Sequence, residues 1–476
     1  MKKIRSFISR KDIENLKSIC GKNGWTDKKD VNEKYLTEER NFYKSYSPII
    51  LKPNSTQKIS NILNYCYNKN IPIVPQGGNT GLVGGTVSGY VSNEIILNLE
   101  KMNKVRELSH TDSMLTVEAG VKLHQVQSIA KSIDKFFPLS LASEGTCQIG
   151  GNLATNAGGV HVIKYGNARD LALGLEVVLA DGTIINGLKK LRKDNSGYNL
   201  NQLFIGSEGT LGIITAASLK LFPIPYEINT ILLAIDSLEK AIEIMNELKK
   251  LYIEKLSALE FFSNFALEIV IKNIPDSLQP FEKYYPWYIL IDIEGTKEKD
   301  KNYNLIENFL FKNLRNNIIK DGIVAKNLKE KENFWKIRES IPYAQKPEGS
   351  SIKHDISIPI SKISQFIDES TKKIFKVIPN IRPCIFGHLG DGNIHFNLTK
   401  PINMQNLDFE KYQDRINKII FDIVFKYNGS ISAEHGIGLL KKDVIKNYKD
   451  KAEINLMKNI KKIFDKKNIL NPGKLI

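Results

Sequence analysis

Three glycine-dense segments in the first half of the chain constrain its fold more than any other feature. Residues 75–85 read PQGGNTGLVGG, residues 138–159 read PLSLASEGTCQIGGNLATNAGG, and residues 206–215 read GSEGTLGIIT. Glycine lets the backbone approach a ligand closely, and successive exposed N–H groups form a concavity suited to an anion. A strand turn explains one such loop. Three in one region, each bordering a strand-like run, point to a bound polyanion. The first loop lacks the GxGxxG spacing and is not followed at once by an amphipathic helix, so a Rossmann unit fits poorly. The second loop adds Thr146, Asn152, Thr155 and Asn156, whose amides and side chains suit phosphates and a polar ring edge.

A chain of 476 residues is too long for one core, which implies two or three domains. After a short amphipathic helix carrying Ile13, Leu16 and Ile19, a helix is expected over 57–67 with Thr56 as its N-cap. Strands are expected over 71–74, 94–99, 115–119, 175–180 and 213–222, with a turn at Asp181-Gly182. Past Pro223 and Pro225 the texture changes. A strand over 231–235 leads to Asp236 and Glu239, a capping box for a helix carrying Leu238, Ile242, Met245 and Leu248. A strand over 288–293, helices near 301–311 and 363–374, and strands around His388 and His395 follow. A long helix over 409–427, with Ile416, Ile419, Ile420 and Ile423 as its stripe, stops at Asn428-Gly429. The class is α+β, divided as an N-terminal helical segment (1–41), a glycine-loop domain (42–225), a second α+β domain (226–428) and a motif-rich C-terminal segment (429–476).

The net charge of +16 raises the question of nucleic acid, but the lysines are dispersed beside acidic residues and no basic stretch carries interleaved aromatics. That makes a nucleic-acid role a weak reading, motivated only by the charge, and leaves a positive field that favours an anionic substrate. No apolar run reaches membrane-span length, and the N-terminus shows neither a secretory nor a transit pattern. Cys20, Cys66, Cys147 and Cys384 form no paired motif, which suits free thiols in the reducing cytoplasm.

Seven histidines occur, and three of them fall in two unusual stretches, GHLGDGNIHFN over 387–397 and SAEHGIG over 432–438. Two imidazoles and a carboxylate make a three-ligand cation site with an open position, and His388, His395 and Glu434 are the candidates. The spacing is no standard zinc motif, so satisfied structural histidines remain the competing reading. On a strand, His395 and Asn397 share a face. His435 could serve as a base.

In their order and spacing, the three loops resemble the FAD-binding domain of the p-cresol methylhydroxylase and vanillyl-alcohol oxidase superfamily. GHLGDGNIHFN and AEHGIG resemble the C-terminal domain of the FAD-linked D-2-hydroxy acid dehydrogenases, and the resemblance spans nearly the whole chain. It implies a p-cresol methylhydroxylase-type FAD-binding domain, a ferredoxin-like α+β substrate (cap) domain and a C-terminal segment returning to the FAD. The implied cofactor contacts are Pro75, Gln76, Gly77, Gly78, Asn79, Thr80 and Gly81 in the first loop. In the second they are Thr146, Gly150, Gly151, Asn152, Thr155, Asn156, Gly158 and Gly159, with Ile214 in the third. Some relatives attach the flavin to a first-loop histidine. Asn79 stands in that loop here and no histidine does, which implies non-covalent FAD.

By the same resemblance His388, His395 and Glu434 hold a divalent metal, zinc being expected, while His435 is the catalytic base and Asn397 contacts substrate. FWKIRESIP over 334–342 supplies Arg338 for a carboxylate, and IKHDISIP over 352–359 supplies Lys353. Pro342 stands where D-2-hydroxyglutarate dehydrogenases have a substrate-touching threonine, which puts the exact substrate in doubt. The implied reaction is metal-assisted oxidation of a small D-2-hydroxy acid, D-2-hydroxyglutarate first, to the 2-oxo acid. D-Lactate, D-malate or glycolate is the nearest alternative, and a non-catalytic flavin subunit of a complex is the alternative from another class. The acceptor is expected to be an electron-transfer flavoprotein, a cytochrome or a quinone route. A homodimer is among the expected partners.

Overall fold

A computed structural model describes residues 8–27, 29–90, 93–252, 254–295 and 299–476. The chain divides into two compact units. The first comprises residues up to 159 with 166–224 and 434–476, and the second comprises 160–165 and 225–433.

The first unit contains two main sheets. In the smaller, Ile50–Leu51, Ile95–Asn98 and Ile73–Gln76 pair in parallel, with Trp25–Thr26 antiparallel at one edge. Their nearly continuous apolar runs are what a sheet buried on both faces requires. Helices Arg10–Cys20 and Thr56–Lys69 carry Leu16, Ile59, Ile62, Leu63 and Cys66 into the same core. The second helix starts differently from the expectation. Ser55, not Thr56, caps it by accepting Lys58 N, and the Thr56 hydroxyl instead donates to Glu176 Oε1 at 2.6 Å. The Thr56 oxygen in turn accepts from Arg106 Nη2 at 3.0 Å, so it is occupied away from the helix amides. The second sheet is antiparallel, in the order Val105–Ser109, Met114–Glu118, Ile213–Lys220, Ala172–Val178, Ile184–Gly187. The turn expected at Asp181-Gly182 forms, with Gly182 at φ +91.

The second unit is built on an eight-stranded sheet. From one edge, its strands run Asp321–Val324, Glu227–Ile235, Trp287–Gly295, Leu256–Ser263, Arg382–His388, Asn393–Thr399 and Ser351–Ile352, and Asp355–Ser357 also pairs with Asn393–Thr399. One face carries Leu232, Phe262, Tyr288, Leu290, Cys384 and Phe386. These pack under helices Asn264–Asn273 and Leu328–Ala344 through Leu267, Phe334, Ile337 and Ile341. Each fully buried Leu, Ile or Phe contributes about 1.5–3 kcal/mol, so this layer is a rigid platform.

Two helices of this unit depart from expectation. In Leu238–Tyr252 the buried stripe runs through Ile244 rather than Ile242, and Asp236 pairs with Lys240 at 2.9 Å and Lys320 at 3.0 Å. The long helix is two, Asn406–Glu410 and Gln413–Lys426, the second burying Ile416, Ile420 and Ile423. It is followed by Asn428 at φ +55, the left-handed stop the sequence implied. Among the described residues no helix is long and apolar enough to cross a membrane, and the four cysteines are buried and unpaired.

Candidate cofactor cradle and candidate active site

Within the first unit the three glycine loops meet. A Cβ on Gly78 would lie 2.2 Å from the Thr146 carbonyl oxygen, so only glycine lets the first loop rest on the second. The third loop closes on the first at Gly209, φ +71, where a Cβ would come 2.4 Å from Pro75 Cγ. At Gly81, Gly145 and Gly151, by contrast, nothing stands within 4 Å of the side-chain direction. Gln148 Oε1, buried at the same junction, has no hydrogen-bond partner among the described residues. Tight contact where loops touch, with open space and an orphaned polar atom elsewhere, fits a cradle for a large polar ligand.

Most polar side chains expected there are bonded to other residues of the first unit. Gln76 donates to the Tyr35 carbonyl at 2.9 Å and accepts from Asn98 at 3.1 Å. Asn79, at φ +59, donates to the Thr37 carbonyl at 2.8 Å and accepts from Thr86 at 2.7 Å. The hydroxyls of Thr146 and Thr155 donate to Ser143 O and Gly151 O, and Asn156 Oδ1 accepts from Arg169 N at 3.0 Å. Asn152 is buried and donates to Cys147 Sγ at 3.6 Å. These side chains shape the loops, and backbone amides are the groups left for phosphates. Ile214 is buried on strand Ile213–Lys220.

The second unit gathers the other candidates on one sheet face. Alternate residues of paired strands point the same way. Glu260 is paired with His388, His388 with Asn393, Phe386 with His395, and Cys384 with Asn397. The pairings Ile352–Leu398 and Asp355–His395 put Lys353 across from Asn397. One ring nitrogen of His388 lies within 4.8 Å of one of His395, and the ring centroids are 5.8 Å apart. Asn397 donates to Gln345 Oε1 at 3.1 Å, and buried Gln345 donates to Thr399 Oγ1 at 2.8 Å, which fixes the asparagine amide. Cys384, in the same row, is a neutral thiol pushed up to about 12 by burial, despite the pull of Lys353 and Arg338.

Arg338 reaches this face from the covering helix Leu328–Ala344. Only 7% of its side chain is exposed, its guanidinium carbon sits 4.9 Å from the Phe386 ring centroid, and Nη2 lies 2.7 Å from Glu260 Oε2. Among the described residues, neither the buried Nε nor Nη2 has an aligned hydrogen-bond partner. Pro342 lies four residues on in the same helix and has no N–H to return to the Arg338 carbonyl.

Glu434 and His435 belong to the first unit, at the point where the chain re-enters it. Both are half-buried. The turn after them is held by Glu208, whose two carboxylate oxygens accept from Ile437 N and Gly438 N, each at 2.7 Å. A Cβ on Gly436 would stand 2.7 Å from Glu208 Oε1, which explains the glycine there. Burial pushes the Glu208 carboxyl above its ordinary range, although those two amides and Lys441 pull it down.

Two acids were thus missed in the sequence. Glu208 sits inside the third glycine loop, where it reads as one more polar loop residue. Glu260 interrupts LSALEFFS, a strand buried along its whole length. It lies 2.7 Å from His388 Nδ1, and His388 and Arg338 hold its carboxyl below the ordinary range against the upward push of burial. A lone acid in an apolar strand was the available signal.

Comparison with known proteins agrees with both halves of this description. Residues 47–187 match the FAD binding domain family, and residues 224–475 match the family described as FAD linked oxidases, C-terminal domain. The chain is 36% identical over 475 residues to the mitochondrial D-2-hydroxyglutarate dehydrogenase of Arabidopsis thaliana, covering 99% of this chain and 82% of that protein. It is 36% identical over 442 residues to a D-2-hydroxyglutarate–pyruvate transhydrogenase of Saccharomyces cerevisiae, covering 91% and 87%. The crystal structure of p-cresol methylhydroxylase with substrate bound superposes with a TM-score of 0.77 at 16% identity, covering 99% and 98%, and shares the fold expected from the glycine loops. The chain belongs to the FAD-linked oxidases, in the D-2-hydroxy acid dehydrogenase group that includes the D-2-hydroxyglutarate dehydrogenases.

Proposed function

We propose that this protein oxidises a small D-2-hydroxy acid, D-2-hydroxyglutarate first among them, to the 2-oxo acid. The observation that carries the reading is Arg338. The guanidinium is buried and ion-paired with Glu260, yet its Nε has no hydrogen-bond acceptor among the described residues, and a substrate carboxylate would supply one. Lys353 and Asn397 stand on the same face, and the positive net charge of the chain draws an anionic substrate inward.

His388 and His395 would hold a divalent cation, zinc in our reading. With Nδ1–H committed to Glu260, His388 keeps its lone pair on Nε2, the usual metal-binding arrangement. Glu434 would complete the set. The metal, when bound, lowers the pKa of the substrate hydroxyl. His435 then takes the hydroxyl proton, and Arg338 and Lys353 fix the carboxylates so that C2–H has one approach. The glycine loops around Gly78, Gly151 and Gly209 would hold non-covalent FAD, which would supply the two-electron acceptor for the hydride leaving C2 and a route for those electrons to an external acceptor. The electron-transfer flavoprotein, cytochrome and quinone routes all suit such a carrier.

Pro342 favours keeping D-lactate, D-malate and glycolate as second substrates, since it offers no donor beside the Arg338 turn. A passive flavin subunit would have no use for a buried, unsatisfied guanidinium. The buried free thiols suit a reducing compartment, the cytoplasm in our reading, whereas the plant relative is named mitochondrial. Dye reduction measured with D- and L-2-hydroxy acids, with and without prolonged chelation, tests the proposal. D-2-Hydroxyglutarate should give the highest kcat/KM, L-enantiomers should be inert, and zinc should restore what chelation removes. A protein that reduces dye with none of the D-acids sinks the reading.

A further inference from the structure

The geometry points to Glu260 as a positioning residue that fixes a metal ligand and the carboxylate clamp with a single carboxylate. This rests on the reading above that His388 holds a divalent cation. Glu260 is 0% exposed, in the middle of strand Leu256–Ser263. An acid buried there costs several kcal/mol unless it is paired and hydrogen-bonded. Oε1 is hydrogen-bonded to His388 Nδ1 at 2.7 Å, and Oε2 is ion-paired with Arg338 Nη2 at 2.7 Å without hydrogen-bond alignment.

The two contacts come from different parts of the fold. His388 faces Glu260 by cross-strand register, and Arg338 descends from the helix packed over the same sheet face. The carboxylate acceptor obliges Nδ1 of His388 to carry the proton. It also locks the ring plane and raises the basicity of Nε2 toward a metal. Its other oxygen offsets the charge of Arg338 and holds the guanidinium near the ring of Phe386. Glu260 thereby joins the cation site to the carboxylate site rigidly.

A purely structural role, counter-ion to Arg338, makes a different forecast. Glu260→Asp keeps the charge near Arg338 but is one methylene too short to reach His388. Glu260→Gln keeps the length and loses the charge. Zinc affinity is measured on the FAD-loaded protein by competition with a chromophoric chelator, and Co(II) spectra are recorded on the same samples. Flavin content checks the fold. Zinc should bind about 10- to 100-fold more weakly to either variant than to the parent, and the Co(II) bands should shift. Should Glu260→Gln fail to fold, Glu260→Asp alone carries the test. Parent-like zinc affinity in the folded variants overturns the assignment to Glu260. A parent protein that binds no zinc or cobalt stoichiometrically overturns the metal reading, and this inference with it.

Discussion

Replacing Glu208 with glutamine should loosen the turn that carries His435. In the native protein both carboxylate oxygens accept short bonds, 2.7 Å each, from Ile437 N and Gly438 N, at a site only 8% exposed. Hydrogen bonds to a charged group contribute about 1.5–3 kcal/mol each. Glutamine keeps one acceptor oxygen but turns an NH2 toward the other amide, so one bond is lost and two donors face each other. The expected cost is on the order of 2–4 kcal/mol, which at about 1.4 kcal/mol per decade is a 30- to 1000-fold loss of local protection. Hydrogen exchange followed by mass spectrometry reads it directly, as faster exchange in the peptide spanning 434–440 with flavin content unchanged. Turnover should fall mainly in kcat, because Glu208 shapes the loop and is not assigned to substrate. Unchanged exchange at Ile437 and Gly438 would refute the clamp, whatever happened to activity.

Three further outcomes follow from the same geometry. His435→Ala should retain FAD and lose roughly 10²- to 10⁴-fold in turnover, the range for a general base, and parent-like turnover removes that assignment. Arg338→Lys keeps the charge but not the fork, so KM for D-2-hydroxyglutarate should rise about 10- to 100-fold, and an unchanged KM contradicts the clamp. Glu348 is held at about 2, because hydrogen bonds from Lys272, Asn273 and Arg382 outweigh the upward push of burial. A depressed carboxyl contributes stability above its unfolded value and loses it as pH falls toward the folded one. The gap in melting temperature between parent and Glu348→Gln should therefore be full above about pH 4.5 and close toward about pH 2, and a gap indifferent to pH argues against the pairing.

What could be read in advance depended on how local each signal was. The glycine loops were legible because their chemistry is written in consecutive residues. Gly78 must be glycine for a contact with Thr146, and the run around it advertises that. His388, His395 and Asn397 were legible because two paired strands bring near neighbours in sequence to one face. The side-chain partners of the loops' polar residues were not legible, for the opposite reason. Whether Asn79 faces a ligand or the Thr37 carbonyl depends on a segment some forty residues earlier.

Glu260 and Glu208 were harder still. Their partners, His388 and Ile437, lie 128 and 229 residues away, and no period in the sequence announces a pairing at that range. Yet both left the same trace, a charge where the surrounding pattern is apolar or glycine-rich. In an interior that penalises an unpaired charge by several kcal/mol, such a residue implies a partner even before the partner is known. Here each unexplained acid stands beside a residue assigned to the chemistry, one against His388 and the other beneath the turn that carries His435. Buried charges that break a pattern are therefore the place to look for the residues that hold a site in shape.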